Sequence, residues 1–379
     1  EAYNADTRST KVNLGVGIYY DEDGRIPVLQ AVQQVERELA QQSKPRGYLP
    51  IDGLPDYTRA TRDLLFGAQS PLVVEGRAAT TQTIGGSGAL RVGAELLKKT
   101  LPFARIAISS PSWENHRAVF TAVGFEVVEY AYFDAATRGV DFDGMLADLR
   151  RLEPGTVVLL HACCHNPTGA DLSPAQWDQV VALLHERGLF PFIDMAYQGF
   201  DRGIEEDAHA IRLLAASPIR NFVVASSYSK SFSLYGERVG ALTVVADSAD
   251  EARRVQSQIK RLVRANYSSP STHGAALVAG VLNDPALRAQ WEEELGQMRT
   301  RIHALRAGLV ERLAAHGAPQ YDFIQRQAGM FSYSGLSRAQ VDRLRDEYGI
   351  YAVGTGRICV AALSARNLDY VASAVAAVS

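Results

Sequence analysis

The sequence predicts an α/β protein, with a large domain built on a mostly parallel sheet and a separate small α+β domain that includes the C-terminus. Three observations carry this expectation. Short apolar runs alternate with helical patterns through the middle of the chain. A long helical stretch then leads into short strands that flank one more helix. Finally, the chain has 379 residues of which 47% are hydrophobic, enough to bury a sizeable core.

The apolar runs at residues 105–109 (RIAIS), 156–160 (TVVLL), 189–194 (LFPFID), 222–225 (FVVA) and 241–245 (ALTVV) read as short buried strands. Between them, residues 174–186 read as a helix, because Trp177, Val180, Val181 and Leu184 recur at helical spacing. Residues 285–316 read as one long helix or two joined ones. Residues 330–333 and 358–361 read as short strands separated by a helix over 338–348. In open parallel sheets ligands gather at the C-terminal strand ends. Asp194 and the segment 226–230 fall at or just after such ends.

Composition narrows the function classes. A net charge of −3 and a pI near 6.3 argue against a dominant nucleic-acid-binding surface. No apolar run reaches the 18 or so residues of a membrane span, and no signal-peptide pattern is visible at the start. Three cysteines (Cys163, Cys164, Cys359) make no disulfide framework. A cytoplasmic protein is the expectation.

The most telling segment is Ser227-Tyr228-Ser229-Lys230, followed eight residues later by Arg238. A lysine in a small polar segment can form a Schiff base with an aldehyde, and desolvation beside a cation such as Arg238 lowers its pKa for that task. The hydroxyls of Ser227 and Ser229 and the Arg238 guanidinium can hold a phosphate next to it. Aldehyde and phosphate on one small molecule point to pyridoxal 5′-phosphate.

Other residues fit the same cofactor, each with a plainer alternative. Asp194 ends an apolar strand; it is either a turn or cap residue or a carboxylate that keeps a pyridine nitrogen protonated. Tyr197, three residues on, can hydrogen-bond the ring's phenolic oxygen. Gly85-Gly86-Ser87-Gly88 precedes a good helix start at Ala89, a pattern that admits an anion. Trp113 is core packing or a stacking face, and His116 a structural histidine or a partner that orients Asp194. Arg357, before a strand, is a surface arginine or a planar fork for an α-carboxylate. Cys163-Cys164-His165 invites a metal reading, with His161, Cys163 and His165 on one side of a strand. No fourth ligand stands at zinc spacing, and no metal is expected. The useful part of that segment is the turn Asn166-Pro167-Thr168-Gly169, whose Asn amide can donate to a ring oxygen or a substrate carboxylate.

Taken together, these segments closely resemble the class I, fold-type I aminotransferases of the aspartate and aromatic branch. The resemblance covers nearly the whole chain. It implies a seven-stranded large domain at residues 27–297 and a small domain made of 1–26 and 298–379. It implies that Lys230 carries pyridoxal phosphate and moves the substrate proton, that Asp194 pairs with the ring nitrogen, and that Tyr197 and Asn166 meet the phenolic oxygen. Trp113 then stacks on the ring. Gly86, Ser87, Gly88, Ser227, Ser229, Arg238 and Tyr48 of a second copy hold the phosphate. Gly17, Trp113, Asn166 and Arg357 meet the substrate, and Arg264, also from the second copy, faces its distal end. The implied protein is a homodimer with shared active sites.

Within the branch, Arg264 favours dicarboxylic substrates. Tyr20, Ile26, Ser87 and Ser269 resemble the aromatic members, and Gly47 departs from both patterns. Tyr20 and Ile26 make the entrance less polar, which lowers the desolvation cost for an aromatic side chain. The expectation is an aromatic amino acid aminotransferase, also acting on aspartate, with 2-oxoglutarate as acceptor. The alternatives are a strict aspartate aminotransferase, a cofactor-binding regulatory module without catalysis, and another pyridoxal phosphate reaction such as decarboxylation.

Overall fold

The structure is a computed structural model that describes residues 2–42, 45 and 47–379. Its centre is a seven-stranded sheet. Numbered within that sheet in chain order, the strands are β1 (Ala78–Ile84), β2 (Ile106–Ser110), β3 (Val127–Ala131), β4 (Val157–His161), β5 (Phe190–Met195), β6 (Phe222–Ser227) and β7 (Val239–Val245). The spatial order is β1-β7-β6-β5-β4-β2-β3. Strand β7 runs antiparallel to both its neighbours, and the other pairings are parallel. The fold is therefore α/β with a mostly parallel sheet, as expected. Every residue of β6 and β7 is buried, because helices cover both faces. That explains why these strands read as unbroken apolar runs.

Two strands were not evident from the sequence. Strand β3 lies at the sheet edge and is mostly half-buried. Strand β1 is Thr- and Gln-rich, yet its first six residues are buried. Its polar groups find partners inside. Thr80 Oγ1 meets Thr243 Oγ1 at 3.0 Å, Thr81 Oγ1 accepts from Gln256 at 2.8 Å, and Gln82 donates to the Ser271 carbonyl at 2.6 Å. Buried polar groups that are paired in this way cost little.

The C-terminal half turns on a single helix, Pro285–Ala315, of 31 residues. Pro285 stands where its missing N–H is harmless, and the Asp284 side chain accepts from the N–H groups of Ala286 and Leu287. The helix serves two cores. Leu287, Trp291, Leu295, Met298 and Ile302 pack in the large one. Leu305, Leu309 and Leu313 pack in a second core with Val12, Leu14, Leu336, Val341, Leu344 and Val375. Two short pairings complete that second unit: Val12–Asn13 runs parallel to Ile350–Tyr351, and Phe331–Tyr333 runs antiparallel to Arg357–Cys359. The helix at Arg338–Tyr348 opens with a capping box between Ser337 and Gln340 and ends at left-handed Gly349.

One start point differs from the sequence reading. The helix expected from Ala89 begins at Gly85, so the three glycines of the run lie in its first turn. Gly85 has φ of +66° and donates its N–H to the Arg238 carbonyl at 2.9 Å, which ties the helix start to the beginning of β7.

Candidate active site

The parallel strands β4, β5 and β6 end side by side, and the residues at and beyond those ends enclose a cavity of about 290 Å³. Asp194 lies next to last in β5, in register with His161 at the end of β4. Ser227 ends β6, and the turn that follows delivers Ser229 and Lys230. The first turn of Gly85–Thr100 supplies Gly86 and Ser87. Phe331, which packs in the large core, and Arg357 on the strand paired with it complete the lining together with Gly17.

At one end of the cavity sit the groups that suit an anion. Ser87, Ser227, Ser229 and Arg238 all line it. Arg238 Nη1 donates to Ser229 Oγ and to the Tyr235 carbonyl, both at 3.1 Å. The guanidinium lies so close to Gly85 that any Cβ there would strike it, and a Cβ on Gly86 would stand 3.0 Å from that of Ser227. Small residues thus bring the helix N-terminus and a cation to one point.

At the other end, Asp194 is held from behind. His116 Nε2 donates to Asp194 Oδ2 at 2.8 Å, and His116 Nδ1 lies 2.9 Å from Ser112 Oγ. Burial works against the Asp194 carboxylate. The His116 hydrogen bond and the nearby charges outweigh it and hold its pKa below the ordinary value. Burial drives His161, the next ring along, down to about 3, assisted by His116. The His161 Nε2 atom has no hydrogen-bond partner among the described residues.

Between these ends stands Lys230. Burial lowers its amine to about 8; Arg238 adds to the effect and Asp194 opposes it. The amine lies 4.9 Å from the Tyr197 ring centroid. Burial, then Asp194, keeps the Tyr197 phenol protonated well above its usual range. Trp113 lines the cavity and meets the His116 ring edge-on at 5.2 Å. Arg357 reaches across, donating to Asn166 Oδ1 at 3.1 Å and to the Gly15 carbonyl at 2.8 Å. Its guanidinium rests 4.4 Å from the centroid of the Phe331 ring. Its Nε is buried without a partner among the described residues.

Most of the residues singled out in the sequence therefore converge. Lys230, Asp194, Tyr197, Gly86, Ser87, Trp113, Asn166, Ser227, Ser229, Arg238, Gly17 and Arg357 all line one cavity, and His116 stands behind it. Gly88 lies in the helix between the lining residues Ser87 and Leu90 without itself lining the cavity. Tyr48 and Arg264 do not reach it. Tyr48 is 97% exposed, and Arg264 borders a separate cleft with Ile51, Gln256 and Lys260. The metal geometry considered for His161, Cys163 and His165 does not form. Strand β4 ends at His161, and the chain then turns through Cys164 at φ +52°. His165 is instead held by Ser109 Oγ at 2.9 Å and Thr168 Oγ1 at 2.7 Å, stacked on Tyr132. Sequence reasoning missed His161 and Phe331 as cavity residues. Alternation along β4 could have paired His161 with Asp194, but nothing local marks Phe331.

The chain matches the family described as aminotransferase class I and II over residues 9–375. It is 58% identical to the aspartate aminotransferase of Pseudomonas aeruginosa, over 99% of this chain and 94% of that one. It is 52% identical to the aromatic-amino-acid aminotransferase of Escherichia coli, over 100% of this chain and 96% of that one. The solved aromatic-amino-acid aminotransferase of Burkholderia pseudomallei, covalently bound to pyridoxal phosphate, superimposes with a TM-score of 0.97 at 62% identity, covering 100% of this chain and 94% of that one. The chain belongs to the class I and II aminotransferases.

Proposed function

We propose that this aminotransferase uses pyridoxal phosphate to move amino groups between aromatic amino acids or aspartate and 2-oxoglutarate. The observation that carries the reading is a buried lysine, its amine lowered to about 8, between an anion cradle and a carboxylate backed by histidine. These residues fit the cofactor from end to end. Ser87, Ser227, Ser229, Arg238 and the Gly86 and Gly88 backbone would hold the phosphate, Asp194 the ring nitrogen, Tyr197 and Asn166 the phenolic oxygen, and Trp113 a ring face. When bound, the cofactor supplies the electron sink that makes the substrate Cα–H acidic.

The chain's own residues do the rest. Lys230 would hold the cofactor covalently, and its amine would carry the proton to and from the substrate Cα. Its lowered pKa keeps a usable neutral fraction near pH 8. Asp194 stays ionised, held by His116, and would keep a ring nitrogen beside it protonated. Arg357 grips the α-carboxylate as a two-pronged donor. That grip also argues against decarboxylation, since it fixes the carboxylate away from the cleaved position. The bulk of the catalytic set comes from residues 27–297, while 1–26 and 298–379 supply Gly17, Phe331 and Arg357. We treat these as the two domains.

Two further assignments need a second copy of the chain. Arg264 would meet the distal carboxylate of a dicarboxylic substrate, and Tyr48 the phosphate, both reaching across a homodimer interface. Their distance from the cavity in a single chain fits this arrangement. A cytoplasmic setting suits such an enzyme, and no described helix is long and apolar enough to cross a membrane.

The second reading, a strict aspartate aminotransferase, is favoured by the name of the Pseudomonas relative. Tyr20 and Ile26 favour the broader one. A steady-state panel with 2-oxoglutarate as acceptor decides. Turnover of phenylalanine or tyrosine within about a hundredfold of aspartate supports dual use. Negligible aromatic turnover leaves the strict enzyme. In the donor half-reaction, followed without oxo acid, Arg264→Ala is expected to impair aspartate far more than phenylalanine. Sedimentation of the active protein as a single copy would contradict the shared site.

A further inference from the structure

The Pro285–Ala315 helix carries an arginine, Arg306, that is only 2% exposed and has no ion-pair partner among the described residues. Its guanidinium faces backbone carbonyls instead. Nη1 donates to Ile324 O at 3.1 Å. Nη2 reaches Ala328 O at 3.1 Å, Gly329 O at 2.7 Å, and Phe331 O. A buried cation without a carboxylate is costly unless hydrogen bonds offset it; here both Nη groups are bonded to carbonyls, while Nε has no partner among the described residues. Burial lowers its pKa to about 10, so it is still charged at neutral pH. Charge-assisted bonds to several carbonyls at once also fix a chain segment more firmly than neutral ones.

That segment, residues 328–331, is where the two cores meet. Ala328 donates its N–H to the Gly169 carbonyl at 2.6 Å, at the end of the turn that carries Asn166. A Cβ on Gly169 would stand 2.8 Å from the Phe331 carbonyl, so the approach is close. Phe331 then projects its ring into the active site. The ring lies 4.4 Å from the Arg357 guanidinium and 5.9 Å edge-on from Tyr197, and a Cβ on Gly17 would come within 2.9 Å of it. A single aromatic side chain thus touches three residues of the cavity.

We propose that Arg306 is a positioning residue for substrate recognition: by pinning the Phe331 backbone it fixes the ring that supports Arg357, and so presets the carboxylate grip. The inference rests on Arg357 being that grip. Arg306 itself touches neither substrate nor cofactor. Its planar fork spans carbonyls that a lysine point charge cannot reach together, so Arg306→Lys should retain part of the effect and Arg306→Gln less. Phe331→Leu removes the supporting face while leaving the arginine in place.

The test is the kinetics of the cofactor-loaded enzyme and these variants, with the double variant Arg306→Lys/Phe331→Leu. We expect KM for both amino acid and oxo acid to rise about tenfold, with kcat changed less than about threefold, a loss of ground-state and transition-state binding alike. The absorbance of the bound cofactor should be unchanged. The double variant should be no worse than the poorer single one, since both act through one ring. Unchanged KM in folded Arg306→Lys and Arg306→Gln would overturn the proposal. So would a proportional loss of kcat, KM and cofactor retention, or multiplicative effects in the double variant. Should Arg306→Gln not fold, Arg306→Lys and Phe331→Leu decide alone. Arg357→Lys is the control: if it leaves KM unaltered, the assignment of Arg357 fails rather than that of Arg306.

Discussion

An amine with its pKa moved from 10.5 to about 8 is half neutral at a pH where a solvated lysine is almost wholly charged. The shift at Lys230 has a sign that can be checked on the cofactor-free protein. Between about pH 8 and 10.5 the unfolded chain holds this proton and the folded one has released it. The group therefore makes folding more favourable as pH rises through that window, and penalises it below. The same neutral fraction sets capture of an aldehyde. The rate at which cofactor-free protein takes up pyridoxal phosphate should climb through pH 8 and level off above it. A profile still rising steeply beyond about pH 10 would show a solvated lysine instead. At this scale the sequence was informative wherever chemistry is local. Lys230 and Asp194 could be found because unusual residue types sit at strand ends. His161 and Arg306 could not be assigned. One gains its neighbour Asp194 only through the pairing of β4 with β5, and the other binds carbonyls, which any residue could provide.

Among the elements, the join between β7 and the Gly85–Thr100 helix governs the anion cradle. Gly240 lies in β7 against Gly85; a Cβ there would strike the Gly85 carbonyl carbon and stand 2.8 Å from the Gly86 nitrogen. The Gly240 carbonyl also accepts from the Tyr57 hydroxyl at 2.8 Å, which leaves the strand little freedom to retreat. Gly240→Ala should push the helix start away from Ser227 and Arg238. Cofactor affinity, measured by titration of the cofactor-free variant, is expected to drop at least tenfold, with about 1–3 kcal/mol of overpacking cost to stability. An unchanged Kd would mean that the cradle does not depend on this contact. Element boundaries were mostly legible, because apolar runs and helical spacing are strong local signals. The helices at 174–186 and 338–348 appear as expected. Strand β1 was not, since its Thr and Gln side chains find their partners in distant elements: β7, the Ala249–Tyr267 helix and the loops at Leu54 and Ser271.

Across the whole molecule, one helix of 31 residues passes from the large core to the small one, and the cavity lies where those cores face each other. The large core's elements carry Lys230, Asp194 and the groups that suit an anion. Phe331 packs in that same large core and lies against Arg357, which sits on the paired C-terminal strand beside the small core. A substrate carboxylate held by Arg357 would thus join the C-terminal part to the large core, and exclusion of water would strengthen each polar contact inside. The two cores echo a change in strand and helix pattern that the sequence shows near the long helix. A contribution from a second copy is implied only by resemblance, because Tyr48 and Arg264 lie outside the cavity of a single chain. Every role assigned here depends on one bond between the Lys230 amine and the cofactor's aldehyde. Borohydride reduction of the freshly isolated, cofactor-loaded enzyme, followed by peptide mapping, tests it most directly. The pyridoxyl group should be found on Lys230; a label on another lysine, or none at all, would contradict the mechanism.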